Sequence, residues 1–224
     1  MCCDASELSG CFVDLGLKKY RDAYDIQRRV FDDLVAAKRS HASTSGMERV
    51  FLVEHTPVYT LGFHANENNI LRHVNADYVR IERGGDVTFH GPGQLVVYPV
   101  LDLELHGLGV KDYVHLLEES VIRLSRIYGV ECARQDGAPG VWLGNESEHT
   151  LRKLCALGVK CTRFITLHGL ALNVSTDLNF FKAINPCGFN DRGVTSYSNE
   201  LGDKCPDMGT VKRDFVSVFS SLLK

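Results

Sequence analysis

The sequence predicts an α/β (α+β) domain: a mixed sheet with flanking helices. Three observations predict it: stretches of helical apolar period, runs of β-branched and aromatic residues between them, and glycine-punctuated pairs of such runs that read as hairpins. The 224 residues are 44% hydrophobic and 24% charged with only 6 Pro and 20 Gly, which suits a buried core and excludes a collagenous or disordered chain. No internal repeat and no Pro-, Gly- or Ser-rich linker interrupts them, so a single domain over 1–224 is expected.

From Tyr20 to Lys38, Tyr20, Tyr24, Val30, Phe31, Leu34 and Val35 recur every three or four residues with charges between, the pattern of an amphipathic helix. RVFLVE (49–54) and VYTLG (58–62) read as short strands around Pro57, and the polar stretch from Gly62 to Asn75 as loop. QLVVYPVLDL (94–103) is so continuously apolar that it predicts a strand covered on both faces, with Pro99 a weak point near its end. Asp112 then caps a helix carrying Val114, Leu117, Val121, Leu124 and Tyr128, closed by Gly129. GVWLG, LCALGVKCT and ITLHGLALNV read as strands, Asp177–Ile184 as a short helix, and Val211, Phe215, Val218, Phe219 and Leu222 mark a helix at the C-terminal end.

Charge and composition narrow the function. With 25 Lys+Arg against 28 Asp+Glu the net charge is −3, so no basic field exists to hold nucleic acid. The longest apolar run, Leu95 to Leu101, is strand-sized and predicts no membrane span. MCCDASELSG has two acids and no Lys or Arg, unlike a secretory or transit leader, so an intracellular location is expected. Eight cysteines, at 2, 3, 11, 132, 155, 161, 187 and 205, form no CxxC pair and read as reduced thiols, most of them buried.

Four segments concentrate residues that chemistry would use. RGGDVTFHGPGQ (83–94) combines glycines with Arg83, His90 and Gln94; it fits no phosphate-loop pattern, and a pair of tight turns explains its composition equally well. TLRKLCALGVK sets Lys153 in a stretch, from His149 to Thr176, with four Lys or Arg and no acid; such a run attracts an acidic partner or merely guards a strand edge. LHGLALNV contains His168, and INPCGFN puts Cys187 in a Pro/Gly turn. His55, His90 and His168 have no ligand spacing that supports a metal site.

Together, EHTPVYTLG, RGGDVTFHGPGQLVVYPVLDL, GVWLG, RKLCALGVK, HGLALNVSTDL and INPCGFNDRGVTS, in that order along most of the chain, resemble the lipoyl(octanoyl) transferase family. The resemblance implies the fold of the biotin/lipoate protein ligase catalytic domain and one octanoyltransferase domain over 1–224. It implies an acyltransferase that moves octanoyl from octanoyl-acyl carrier protein, through a cysteine thioester, to the lysine of lipoyl domains, the first step of protein lipoylation. Lipoyl domains of 2-oxoacid dehydrogenase complexes and the glycine cleavage H protein are the implied acceptors, and bacterial cytoplasm or a mitochondrial or plastid matrix the implied compartment. It places the nucleophile at Cys187 and its partner at Lys153. Substrate contacts fall on Arg83, Gly84, Gly85, Asp86, Val87, Thr88, Phe89, His90, Ala156, Leu157, Gly158, Gly169, Leu170 and Ala171, with His55 and His168 as secondary candidates. No cofactor or metal is implied. The alternatives are an ATP-dependent lipoate or biotin ligase on the same fold and a non-catalytic carrier-binding module.

A physical argument sharpens the role of Lys153. A thiol of pKa about 8.5 is about 3% thiolate at neutral pH. Lowering that pKa by about two units raises the fraction roughly 25-fold, while the fall in intrinsic nucleophilicity removes roughly eightfold. A net gain of about threefold is too small to explain the pairing, so Lys153 is expected to act chiefly as a proton carrier.

Overall fold

The computed structural model describes residues 10–145, 147, 149–185 and 193–223. Its strands are β1 (Phe12–Lys18), β2 (Arg49–His55), β3 (Val58–Leu61), β4 (Asp77–Arg80), β5 (Val87–His90), β6 (Gln94–Val100), β7 (Gly140–Leu143), β8 (Arg152–Thr162), β9 (Ile165–Asn173) and β10 (Gly193–Val194). Its α-helices are α1 (Tyr20–Arg39), α2 (Val110–Ile127), α3 (Tyr197–Leu201) and α4 (Met208–Leu222). The main sheet runs β1-β2-β6-β9-β8-β10 with β7 also paired to β8, and β4-β3-β5 form a second, smaller sheet. β1 with β2 and β8 with β10 are parallel, whereas β2, β6, β9, β8 and β7 pair antiparallel, so the main sheet is mixed as predicted.

Each face of that sheet carries its own core. Tyr113 and Leu117 of α2 and Phe215 and Phe219 of α4 pack with Val50, Leu95, Val97 and Leu172 on one face. Tyr20, Ala23, Phe31 and Leu34 of α1 pack with Phe51, Val53, Val96 and Tyr98 on the other. A third cluster, with Tyr59, Phe89 and Phe181, fills the small sheet. β6 lies between β2 and β9 and is buried at all 7 positions, which is why its sequence does not alternate.

Pro99 is tolerated inside β6 because the ladder to β9 stops at Val97–Leu170. β9 steps around the proline through His168, whose φ is +64°. Gly169 permits the close return: a Cβ there would collide with Val97 O and stand 2.8 Å from Pro99 Cδ.

Several local expectations change. Asp112 is not the helix cap: α2 begins at Val110 after Gly109, and the Asp112 carboxylate accepts the Gly109 N–H at 3.1 Å from within the first turn. The short helix after Asp177 is a 3₁₀ helix, Leu178–Ala183, started by Asp177 Oδ1 accepting from Asn179 N–H. A 3₁₀ turn, Glu67–Asn69, lies within the stretch read as loop. RGGDVTFHGPGQ is more than paired turns, since β5 runs through it antiparallel to β3.

β8 and β9 join through Arg163 and Phe164, both left-handed at φ +53° and +64°, as a tight two-residue hairpin requires but as neither residue favours. Replacing them together by Asn-Gly is expected to raise stability by about 1 kcal/mol, seen as a higher urea midpoint at unchanged slope; an unchanged or lower midpoint would contradict the strain.

Candidate functional site

One extra residue in β8 builds the site. Between the pairs Val141–Cys155 and Trp142–Lys153 the β7–β8 register skips Leu154. The bulge resets the two-residue alternation, so Leu154 and Cys155 both enter the core beneath α2 and α4, while Lys153, Ala156 and Gly158 line the same cavity. Unbroken alternation would have pointed Lys153 away from Ala156 and Gly158.

The cavity, about 70 Å³, is walled by β5, β6, β8, β9 and the first residue of α1. It brings together Arg83, Gly85, Asp86, Val87, Thr88, His90, Lys153, Ala156, Leu157, Gly158, His168, Gly169, Leu170 and Ala171. Gly84 and Phe89 stand off it: Gly84 N–H donates to Val159 O at 3.3 Å, and the Phe89 ring turns into the third core cluster, stacked on Phe180 at 4.5 Å. His55 sits behind the wall, its Nδ1–H donating to Lys18 O at 3.0 Å and its Nε2 accepting from Tyr98 Oη at 2.8 Å.

The cavity is also lined by Gln94, noted in the sequence only as part of its segment, and by Tyr20, Tyr98 and Asn173, which sequence reasoning missed. The signal was a polar residue inside an apolar strand: Gln94 and Asn173 each pair across the β6–β9 ladder. The Gln94 amide donates from Nε2 to Asn173 Oδ1 at 2.8 Å and to Phe89 O at 3.2 Å, so its Oε1 is the acceptor for His90 Nδ1–H at 2.7 Å. His90 Nε2 accepts from Thr60 Oγ1 at 3.2 Å, and Asn173 Nδ2 donates to Thr195 O at 2.9 Å. Thr195 N–H in turn holds the Lys153 carbonyl at 2.9 Å. A continuous polar chain therefore ties His90 to the backbone of Lys153.

Arg83 is buried, with 8% of its surface exposed, and spreads its guanidinium over Thr60 O, Asp86 O and Gly84 O at 2.8 Å and Thr60 Oγ1 at 3.0 Å. Its stem crosses Gly158, where a Cβ would stand 2.7 Å from Arg83 Cδ. The three buried histidines are neutral: burial pushes His55 down to about 4, and burial reinforced by the neighbouring His55 and Arg83 pushes His90 down to about 3. Burial, then the Arg83 charge, pushes His168 down to about 3. Among the described residues, Tyr20 Oη and His168 Nε2 are buried at the cavity without a hydrogen-bond partner.

Lys153 lies between Trp142 on β7 and Val194 on β10. The chain reaches Asn185, whose N–H donates to Asn69 O at 2.8 Å, and returns at Gly193, whose N–H donates to Leu151 O at 3.0 Å. Cys187 lies outside the described residues. Cys132, Cys155, Cys161 and Cys205 are free thiols; burial pushes Cys155 far above the usual thiol range, which leaves it inert.

Two of the four cations in the stretch around Lys153 are paired within the fold: Arg152 with Glu200 at 2.8 Å and Lys160 with Glu82 at 2.5 Å. Among the described residues no group of three or more His, Cys, Asp or Glu could hold a metal ion, and no helix is long and apolar enough to cross a membrane.

The sequence pattern of the lipoyl protein ligase A/B catalytic domain matches residues 19–220. An octanoyltransferase of Bacteroides fragilis is 49% identical over 206 residues, 89% of this chain and 91% of its own length. A lipoate-protein ligase A bound with ATP superposes with a TM-score of 0.68 at 14% identity, covering 95% of this chain and 84% of that one. A bipartite lipoate protein ligase of Thermoplasma acidophilum, solved in a study that includes its E2 lipoyl domain, superposes with a TM-score of 0.66 at 14% identity, covering 93% and 82%. These two likenesses establish the fold expected from the sequence.

Two predictions follow from the buried polar groups. Each histidine binds its proton more weakly folded than unfolded, so stability is full above the unfolded pKa of about 6.5 and falls as pH drops from there toward 3–4, by up to about 1.4 kcal/mol per pH unit for each. Urea midpoints at pH 7.5, 6 and 5 should fall before carboxylates titrate; a flat series contradicts neutral burial. Tyr20→Phe removes a hydroxyl without a protein partner, so its melting temperature should match or exceed that of the parent, and a drop of several degrees would reveal a partner.

Proposed function

This chain belongs to the lipoyl protein ligase A/B catalytic domain family and is an octanoyltransferase of protein lipoylation, and we propose that it works through a covalent octanoyl thioester on Cys187. The observation that carries the reading is the β8 bulge, which turns Lys153 into a cavity whose floor is Ala156, Leu157, Gly158, Gly169, Leu170 and Ala171. The chain that carries Cys187 departs at Asn185 and rejoins the sheet beside Lys153, which favours the two side chains working together.

Residues 1–224 act as one catalytic domain. The donor is octanoyl-acyl carrier protein, and the acceptors are lipoyl domains of 2-oxoacid dehydrogenase complexes and the glycine cleavage H protein. The Thermoplasma ligase, studied with its E2 lipoyl domain, supports the kind of acceptor. The segment from Arg83 to His90 and the floor of β8 and β9 hold the acyl chain and its pantetheine. Six methylenes at about 0.8 kcal/mol each supply about 5 kcal/mol on full burial, enough to select a medium chain and to keep water from the thioester.

In the first half-reaction the Lys153 amine takes the Cys187 proton. The thiolate attacks the carrier thioester, and the tetrahedral adduct expels pantetheine thiolate, which takes the proton back from the Lys153 ammonium. One thioester replaces another at nearly equal free energy. In the second, the acceptor lysine amine attacks the Cys187 thioester, an amide forms as the C–S bond breaks, and the proton the amine gives up passes through Lys153 to the expelled Cys187 thiolate. Their low proton affinity makes His55 and His168 poor bases, so neither is assigned a proton-transfer role.

Lys153→Arg keeps a cation beside the Trp142 ring, but it cannot release a proton at working pH. Octanoyl transfer to a lipoyl domain should fall by roughly 100-fold or more in that variant, and Cys187→Ser should abolish it. Near-normal turnover by Lys153→Arg would refute the relay. Pyrophosphate release from lipoic acid and ATP would favour the ligase instead.

A further inference from the structure

Trp142 and Gly140 cradle the lysine that the proposed chemistry uses. The Lys153 Nζ stands 4.4 Å from the centre of the Trp142 ring, against its face. Trp142 is itself only 3% exposed and is fixed on three sides. Its indole N–H donates to Ala138 O at 2.9 Å, its backbone exchanges two 2.9 Å bonds with Ala133, and its ring packs with Ala138 and Leu151. Gly140, at φ +131°, leaves the space the lysine stem occupies: a Cβ there would stand 3.4 Å from Lys153 Cε and 2.6 Å from Cys155 O.

We propose that Trp142 is the positioning residue for Lys153, holding its Nζ over the indole face beside the acyl cavity as the lysine takes and returns the proton. The inference rests on the transferase reading of Lys153, and its geometry follows from the bulge. At the bulge Trp142 and Lys153 are register partners, so the rigid ring meets the long side chain directly across the ladder. A flexible lysine otherwise samples many rotamers, and a misplacement of about 1 Å costs up to roughly 100-fold in rate.

The test uses the fact that the chain has a single tryptophan, so its emission reports this site alone. Lys153→Met should shift or intensify that emission in the substrate-free protein, whereas Lys160→Met, on the same strand but paired with Glu82, should leave it unchanged. In single-turnover octanoylation by octanoyl-carrier protein, Trp142→Leu should slow the acylation step roughly tenfold or more with the apparent carrier affinity within about twofold. Trp142→Phe, which keeps a π face, should stay within about threefold of the parent. Circular dichroism and urea midpoints establish that each variant is folded, and if the leucine variant is not, the phenylalanine variant and the emission decide.

Unchanged emission in Lys153→Met overturns the proposal. So does a leucine variant that acylates at the parental rate, or a phenylalanine variant as slow as leucine. Failure of the parent protein to transfer octanoyl at all would overturn the transferase reading, while the emission would still decide whether Trp142 holds Lys153.

Discussion

The site depends on a single inserted residue. Leu154 gives β8 one more residue than β7 between two paired positions, and that excess turns Lys153 toward Ala156 and Gly158. Burying Leu154 and Cys155 side by side in the core under α2 and α4 stabilises the irregularity, so the orientation of the functional lysine is coupled to the largest apolar cluster. A second irregularity lies further along, on β9 opposite Val159, where Pro99 ends the ladder and His168 swings its ring into the cavity. Strand irregularities at two levels thus shape one pocket.

Polar groups around the cavity are arranged to be rigid rather than reactive. Arg83 donates to carbonyls of its own loop and of β3, and Gln94 fixes the tautomer of His90 while linking it to Asn173. The histidines are held neutral by burial, which removes competing bases and leaves the apolar floor largely free of charge. Such a lining suits an aliphatic chain and keeps a thioester from water.

Much of this was legible beforehand, for reasons particular residues make plain. α1 and α4 follow from their apolar period, and β6 from an apolar run too short for a membrane and too continuous for an exposed strand. β10 has two residues, and β4 carries two exposed charges among its four, so neither leaves a pattern to read. The bulge at Leu154 was invisible because a shift of alternation is defined only by the partner strand. The ion pairs within the basic stretch were unreadable because Glu200 and Glu82, which pair with Arg152 and Lys160, are distant in sequence. Lys153 itself emerged from the resemblance of its motif.

The account turns on where the octanoyl group rests between donor and acceptor. The most direct measurement is peptide-mapped mass analysis of the protein after brief exposure to octanoyl-acyl carrier protein without a lipoyl domain. The account predicts one octanoyl group on the peptide containing Cys187, removed by hydroxylamine and lost on adding a lipoyl domain. An adduct on another residue, or turnover with no adduct at any time resolved, would contradict it.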